Sequence, residues 1–148
     1  YSKSPSTTER ARQMGVIDVE APSALLAVSG ADLVLLAVPV AATEATFKAI
    51  RHLVTGNVLI MDVGSTKRDV IDAARRVLRD QVGVFVPAHP IAGKELAGVE
   101  HADPDLYSGR QVILTPIERT LSPQLEKATK LWTELGCHVK LMSPEAHD

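Results

Sequence analysis

The chain has 148 residues, 45% of them apolar, and a formal net charge of −2. That length and composition allow one domain with a real core and exclude disorder, and the near-neutral charge argues against a nucleic-acid or membrane-surface partner. A single cysteine, Cys137, excludes an internal disulfide framework and a cysteine zinc site, and no apolar run approaches the ~20 residues of a membrane span.

In chain order, Tyr1-Ser2-Lys3 reads as the tail of a strand. Ser4-Pro5, with Thr7, Thr8 and Glu9, opens a helix to about Met14, and Gly15 stops it. Leu33 to Val38 is a continuous apolar run, the pattern of a strand buried on both faces. A helix is predicted over Ala42 to Leu53, with Ala45, Ala49, Ile50 and Leu53 near helical spacing. After a turn at Gly56-Asn57 comes a buried strand, Val58 to Met61. Lys67 to Arg79 is the next helix, with Val70, Ile71, Ala74, Val77 and Leu78 on one stripe. Its arginines, Arg68, Arg75, Arg76 and Arg79, read as a solvated face. Val82 to Val86 is a third strand. Strands separated by helices imply parallel pairing with right-handed crossovers.

The second half continues the layering. Gln111 to Thr115 is a strand ended by Pro116. Gln124 to Leu135 is a helix capped by Ser122, with Pro123 at its first position and Gly136 at its end. Cys137 to Met142 is a last strand, and Ser143-Pro144-Glu145 opens a further helix. Aromatics are scarce (one Trp, two Tyr, two Phe), so the core must be aliphatic, as in layered α/β proteins. The expected fold is α/β: a Rossmann-like, doubly wound, mostly parallel sheet. Residues 1–142 form the dinucleotide-binding domain, expected to lack its first strand-helix unit. Residues 143–148 are expected to open a helix that continues beyond Asp148.

The residue best suited to chemistry is His89, between Pro87 and Pro90 after the third strand. Ligands of open α/β sheets bind at the carboxyl ends of strands. Imidazole exchanges protons near neutral pH, and the prolines stiffen the turn that aims it. The competing reading is an ordinary histidine in a strand-end loop. A second candidate is Asp62-Val63-Gly64-Ser65-Thr66-Lys67, where Gly64 permits a tight turn. Ser65 or Thr66 either caps the following helix or bonds a ligand, and Lys67, in a first helical turn, is expected to be solvated. Ser65 lies in no G-x-S-x-G elbow, so Asp62, Ser65 and His89 do not read as a hydrolase triad.

No G-x-G pair occurs, so a phosphate-binding glycine loop is expected before Tyr1. The position that normally selects the nucleotide then falls on Ser2 and Lys3, without a carboxylate, which favours NADP over NAD; the alternative is a plain polar turn. Val38-Pro39, ending the strand before it, is a weaker cofactor contact. His101 and His147 lack metal-ligand spacing with His89, and no metal site is expected. His52 and His138 read as surface histidines.

Several motifs in fixed order then become informative together. They are Asp62-Val63-Gly64-Ser65-Thr66-Lys67, His89-Pro90-Ile91-Ala92-Gly93-Lys94-Glu95, Gly98-Val99-Glu100, Asp105-Leu106-Tyr107-Ser108-Gly109, Val112-Ile113-Leu114-Thr115-Pro116 and Ser143-Pro144-Glu145-Ala146-His147-Asp148. With Tyr1-Ser2-Lys3-Ser4-Pro5 and Gly15-Val16-Ile17-Asp18, this order resembles the prephenate and arogenate dehydrogenases of tyrosine biosynthesis over essentially the whole chain.

The resemblance implies NAD(P)-dependent oxidative decarboxylation of prephenate or arogenate to 4-hydroxyphenylpyruvate or tyrosine. It implies that His89 hydrogen-bonds the ring hydroxyl and takes its proton, and that Ser65 orients that hydroxyl or the nicotinamide. Val38 and Pro39 would line the cofactor cleft with Ser2 and Lys3, and Glu95 would stand near the substrate entrance. It further implies a cytoplasmic enzyme, a homodimer through a C-terminal helical domain that also supplies an arginine to the substrate, and poor turnover by this chain alone. Two other readings compete: another NAD(P)-dependent dehydrogenase, and a non-catalytic nucleotide-binding or regulatory module.

Overall fold

A computed structural model describes residues 1–92 and 98–148. Helix α1 (Pro5–Gln13) ends at Gly15, whose φ of +76° is the left-handed turn that glycine makes without strain. A short helix, α2 (Ala24–Val28), follows, with Ser23 accepting the Leu26 N–H at 3.1 Å. Then come β1 (Leu33–Leu36), α3 (Thr43–Ile50), β2 (Leu59–Asp62), α4 (Arg68–Leu78), β3 (Phe85–Val86), β4 (Ala88–Pro90), β5 (Gln111–Leu114), α5 (Ser122–Glu134), β6 (His138–Leu141) and α6 (Pro144–His147). Single 3-10 turns flank α3, and a longer 3-10 segment, Arg79–Val84, links α4 to β3.

The strands form two three-stranded sheets, β1-β2-β3 and β4-β5-β6. The first is parallel throughout, as crossover helices require. In the second, β5 and β6 are parallel but β4 runs antiparallel to β5. The departure has a plain cause: α5 carries the chain back between β5 and β6, whereas no long crossover helix occurs among the described residues between β4 and β5. The sheets are joined through Pro87. Proline has no N–H to donate to a ladder, but its carbonyl accepts the Thr115 N–H at 3.1 Å. One extended segment therefore pairs with β2 before Pro87 and with β5 after it.

Helices cover both faces. One core lies under α3 and α4, where Phe47, Ile60, Val70, Ala74 and Phe85 pack together and the rings of Phe47 and Phe85 meet edge to face at 5.2 Å. The other lies under α5, where Leu59, Met61, Val86, Val112, Leu114 and Trp132 pack. Burial of each large apolar side chain contributes about 1.5–3 kcal/mol.

Several expectations are corrected. Tyr1–Lys3 is not a strand. β1 is buried on one face only: Leu33 and Leu35 are 42% and 48% exposed. They lie beside Leu59 and Met61, which α5 covers; no described element extends that cover to the β1 edge. The expected strand Val82–Val86 shrinks to Phe85–Val86, because Gly83 sits against the loop before α5. A Cβ there would lie 2.6 Å from the Arg119 carbonyl, and the Gly83 carbonyl accepts the Leu121 N–H at 3.0 Å. The same bond holds Leu121 extended as the true N-cap of α5, so Ser122 is its first helical residue and caps nothing.

Candidate active site

β2 ends on a buried carboxylate, Asp62. Its Oδ2 accepts the Gly64 N–H at 3.0 Å and the Lys67 ammonium at 2.5 Å, and its Oδ1 accepts the Ala88 N–H at 3.0 Å. Lys67 Nζ also donates to the Ala88 carbonyl at 2.6 Å. This knot ties β2 to β4 by side chains where Pro87 interrupts the backbone ladder. Gly64 is required by closeness, since a Cβ would stand 3.0 Å from Asp62 Oδ2. Lys67, expected in solvent, is 0% exposed. Burial pushes its pKa down, and the charge and hydrogen bond of Asp62 oppose that shift.

His89 stands in the middle of β4, opposite Ile113, and is half-buried. It is a strand residue, not the loop residue that its flanking prolines imply. Its Nδ1 lies 2.8 Å from Nε2 of His147, and the two rings meet at 72°. His147 Nδ1 bonds Oδ1 of Asp148. Asp148 reaches back across the sequence: its Oδ1 accepts the Lys67 N–H at 3.1 Å and its Oδ2 the Arg68 N–H at 3.0 Å. The N-terminus of α4 is thus capped from the far end of the chain. Ser65 and Thr66, the expected caps, are exposed and contribute no side-chain bond to it. α6 brings His147 and Asp148 there, its own start capped by Ser143, which accepts the Ala146 N–H at 3.1 Å.

The electrostatics keep His89 neutral. Burial lowers its pKa most, followed by His147 and the Lys67 ammonium, against opposing effects of Asp62 and Asp148. Burial pushes the Asp148 carboxyl up, but the Arg68 N–H, His147 and the Lys67 N–H outweigh it and bring the pKa to about 2. The arrangement is a neutral imidazole with one nitrogen engaged and, behind it, a carboxylate that is ionised at neutral pH.

The other expected residues separate into groups. Ser65 is on the exposed part of the 63–67 loop, and no hydrogen bond joins it to His89 among the described residues. Ser2 and Lys3 line a cavity of about 410 Å³ with Tyr1, Thr8 and Glu20. Val38 lines an apolar cleft of about 170 Å³ that shares Tyr1 with it, and Pro39 follows, exposed. Glu95 lies outside the described residues. Sequence reasoning missed His147, Asp148 and Glu20. For His147 the only role weighed was metal binding, and its contact with His89 spans 58 residues. Among the described residues no helix is long and apolar enough to cross a membrane.

Residues 1–141 match the family model for the nucleotide-binding domain of prephenate dehydrogenase. The whole chain is 36% identical to cyclohexadienyl dehydrogenase of Zymomonas mobilis and covers 50% of it. Over 93% of its length it is 37% identical to prephenate dehydrogenase of Bacillus subtilis, covering 37% of that protein. Among solved structures, prephenate dehydrogenase of Aquifex aeolicus in complex with hydroxyphenyl propionate and NAD+ superposes with a TM-score of 0.90. It shares 32% identity over 99% of this chain and 51% of that one. The chain thus spans about half the length, or less, of these relatives.

Proposed function

The chain belongs to the prephenate dehydrogenase family, as its nucleotide-binding domain, and from that premise we propose that the whole protein oxidatively decarboxylates prephenate or arogenate with NAD(P)+. The observation that carries this reading is His89. It is a neutral imidazole in β4, the strand that follows β3 beyond Pro87, with Nδ1 already bonded, which leaves Nε2 for a substrate. The Aquifex relative's complex with NAD+ and a hydroxyphenyl compound supports the substrate class.

The residues on the page fit part of the cofactor. The hydroxyls of Ser2 and Thr8 and the ammonium of Lys3 suit a ribose or its 2′-phosphate. Arg12, 3.9 Å from Glu20, moderates the one carboxylate in that cavity. On this basis NADP+ is the preferred cofactor. Val38, Pro39 and Ser65 would face the nicotinamide half. When bound, the nicotinamide supplies the hydride acceptor.

The chain's own residues handle the proton. His89 Nε2 accepts a hydrogen bond from the ring carbinol and takes its proton as the C–H bond gives up its electron pair. The bond from ring to carboxylate then breaks and CO2 leaves. The electron pair enters the ring, which becomes a phenolate, and the oxygen recovers a proton. Ser65 orients the hydroxyl.

The test is the initial rate of nicotinamide reduction by the full-length protein, with prephenate or arogenate and with NADP+ or NAD+ in parallel. Turnover faster with NADP+ supports both parts of the reading. Turnover with NAD+ alone overturns the cofactor preference, and none with either substrate overturns the activity.

A further inference from the structure

We propose that His147 and Asp148 are positioning residues for His89, holding its neutral ring as the Nδ1–H tautomer so that bare Nε2 faces the substrate hydroxyl. This inference rests on the reading of His89 as the group that meets that hydroxyl. The geometry fixes the direction of each bond in turn. Asp148 accepts from two backbone N–H groups, those of Lys67 and Arg68, and from His147 Nδ1. A carboxylate engaged only as an acceptor is ionised, so His147 Nδ1 carries a hydrogen. The His147 side chain is only 6% exposed, and it is taken as the uncharged ring, with its single hydrogen on Nδ1. Neutral His147 then presents a lone pair at Nε2. The only complementary partner 2.8 Å away is a hydrogen on His89 Nδ1.

The same chain stabilises the ring after it takes the proton. The imidazolium donates from Nδ1 into His147, with the Asp148 charge behind it, as an orienting carboxylate does for a catalytic histidine elsewhere. Among the described residues, the charged and titratable groups that face His89 are His147, Asp148, Lys67 and Asp62. Of these, Asp148 and Asp62 favour the protonated ring, while the Lys67 ammonium opposes it.

The test uses the full-length protein at pH 8 with 15N-labelled histidine, His89 being identified by its absence from the H89N spectrum. The expected wild-type spectrum shows His89 protonated at Nδ1 and bare at Nε2. H147Q keeps an acceptor where Nε2 stood and should keep that tautomer; H147L should lose it. In kinetics, H147L should lower kcat roughly 100-fold with KM little changed, within the range that general-base function spans, and H147Q should recover part of the loss. D148N should lower kcat and also move the acid limb of the kcat/KM profile to lower pH, because Asp148 raises the basicity of His89. A residue that merely holds the fold would not move that limb. A wild-type His89 protonated at Nε2 overturns the proposal, as does H147L with wild-type tautomer and kcat. If the tautomer is as expected but neither prephenate nor arogenate is oxidised, the functional reading fails and the positioning stands.

Discussion

Helix α4 meets charge in two settings. At its N-terminal approach Lys67 and Asp62 are sealed from water, 2.5 Å apart. Along its outer face Arg75 and Arg76 hold Glu118 and Glu44 at 2.9 Å in open solvent. The distances are similar and the consequences are not. The outer pairs give up little hydration and are screened, so their removal changes little. The inner pair has lost its water, so each partner depends on the other. The inner pair also fixes the backbone next to His89: the Ala88 amide and carbonyl that it grips belong to the residue before it.

The sharpest way to sharpen this contrast is at His89 itself. H89N should reduce turnover by about 10²–10⁴-fold while leaving cofactor affinity unchanged, as measured by nucleotide titration beside the rate assay. Equal loss of both would mean that the inner region is structural only. Next, K67M leaves Asp62 buried and unpaired and should destabilise the fold by about 3–5 kcal/mol, read from urea unfolding. Adding D62L should recover only part of that, because the Ala88 N–H then stays buried without an acceptor.

The third test is pH. The Asp148 carboxyl has a pKa of about 2, below its ordinary value of 3.8. A folded-state pKa depressed in this way contributes stability above the unfolded value, which is lost as pH falls from about 4 towards 2. D148N should flatten that part of the stability curve and leave the neutral branch lower by about 1 kcal/mol, the scale of a lost helix cap. The smallest effect belongs to the outer pairs. E118Q should leave the unfolding midpoint within scatter at both low and high salt; a clear, salt-dependent drop would erase the contrast.

How much of this could be read in advance differs from residue to residue. The apolar stripe of α4 and the run over β2 declare themselves, because the stripe faces one core and β2 is buried between two. Val82 and Val84 are just as apolar and just as buried, yet they lie in a 3-10 segment. Burial sets hydrophobicity there, while Gly83 and its contact with Arg119 set the backbone. Lys67 reads as solvated from local sequence: Asp62 is only five residues away, but the Ala88 carbonyl that completes its burial lies across a sheet boundary. The motif order located His89, Ser65 and the segment ending in His147-Asp148, but assigned the last no role. Its role depends on a contact that only the tertiary fold creates.

The hydrogen bonds that Asp148 accepts from the Lys67 and Arg68 N–H groups close loops of 81 and 80 residues, whereas Lys67 finds Asp62 within 5 residues and Ala88 within 21. On a ribosome these are different moments. The lysine knot has all its parts once residue 88 has emerged, and parallel strands and helix can gather around it as synthesis proceeds from the N-terminal side. The clasp on His89 has none of its parts until residues 147 and 148 arrive. A nascent chain can therefore hold the lysine knot before the contact of His147 with His89 is able to form.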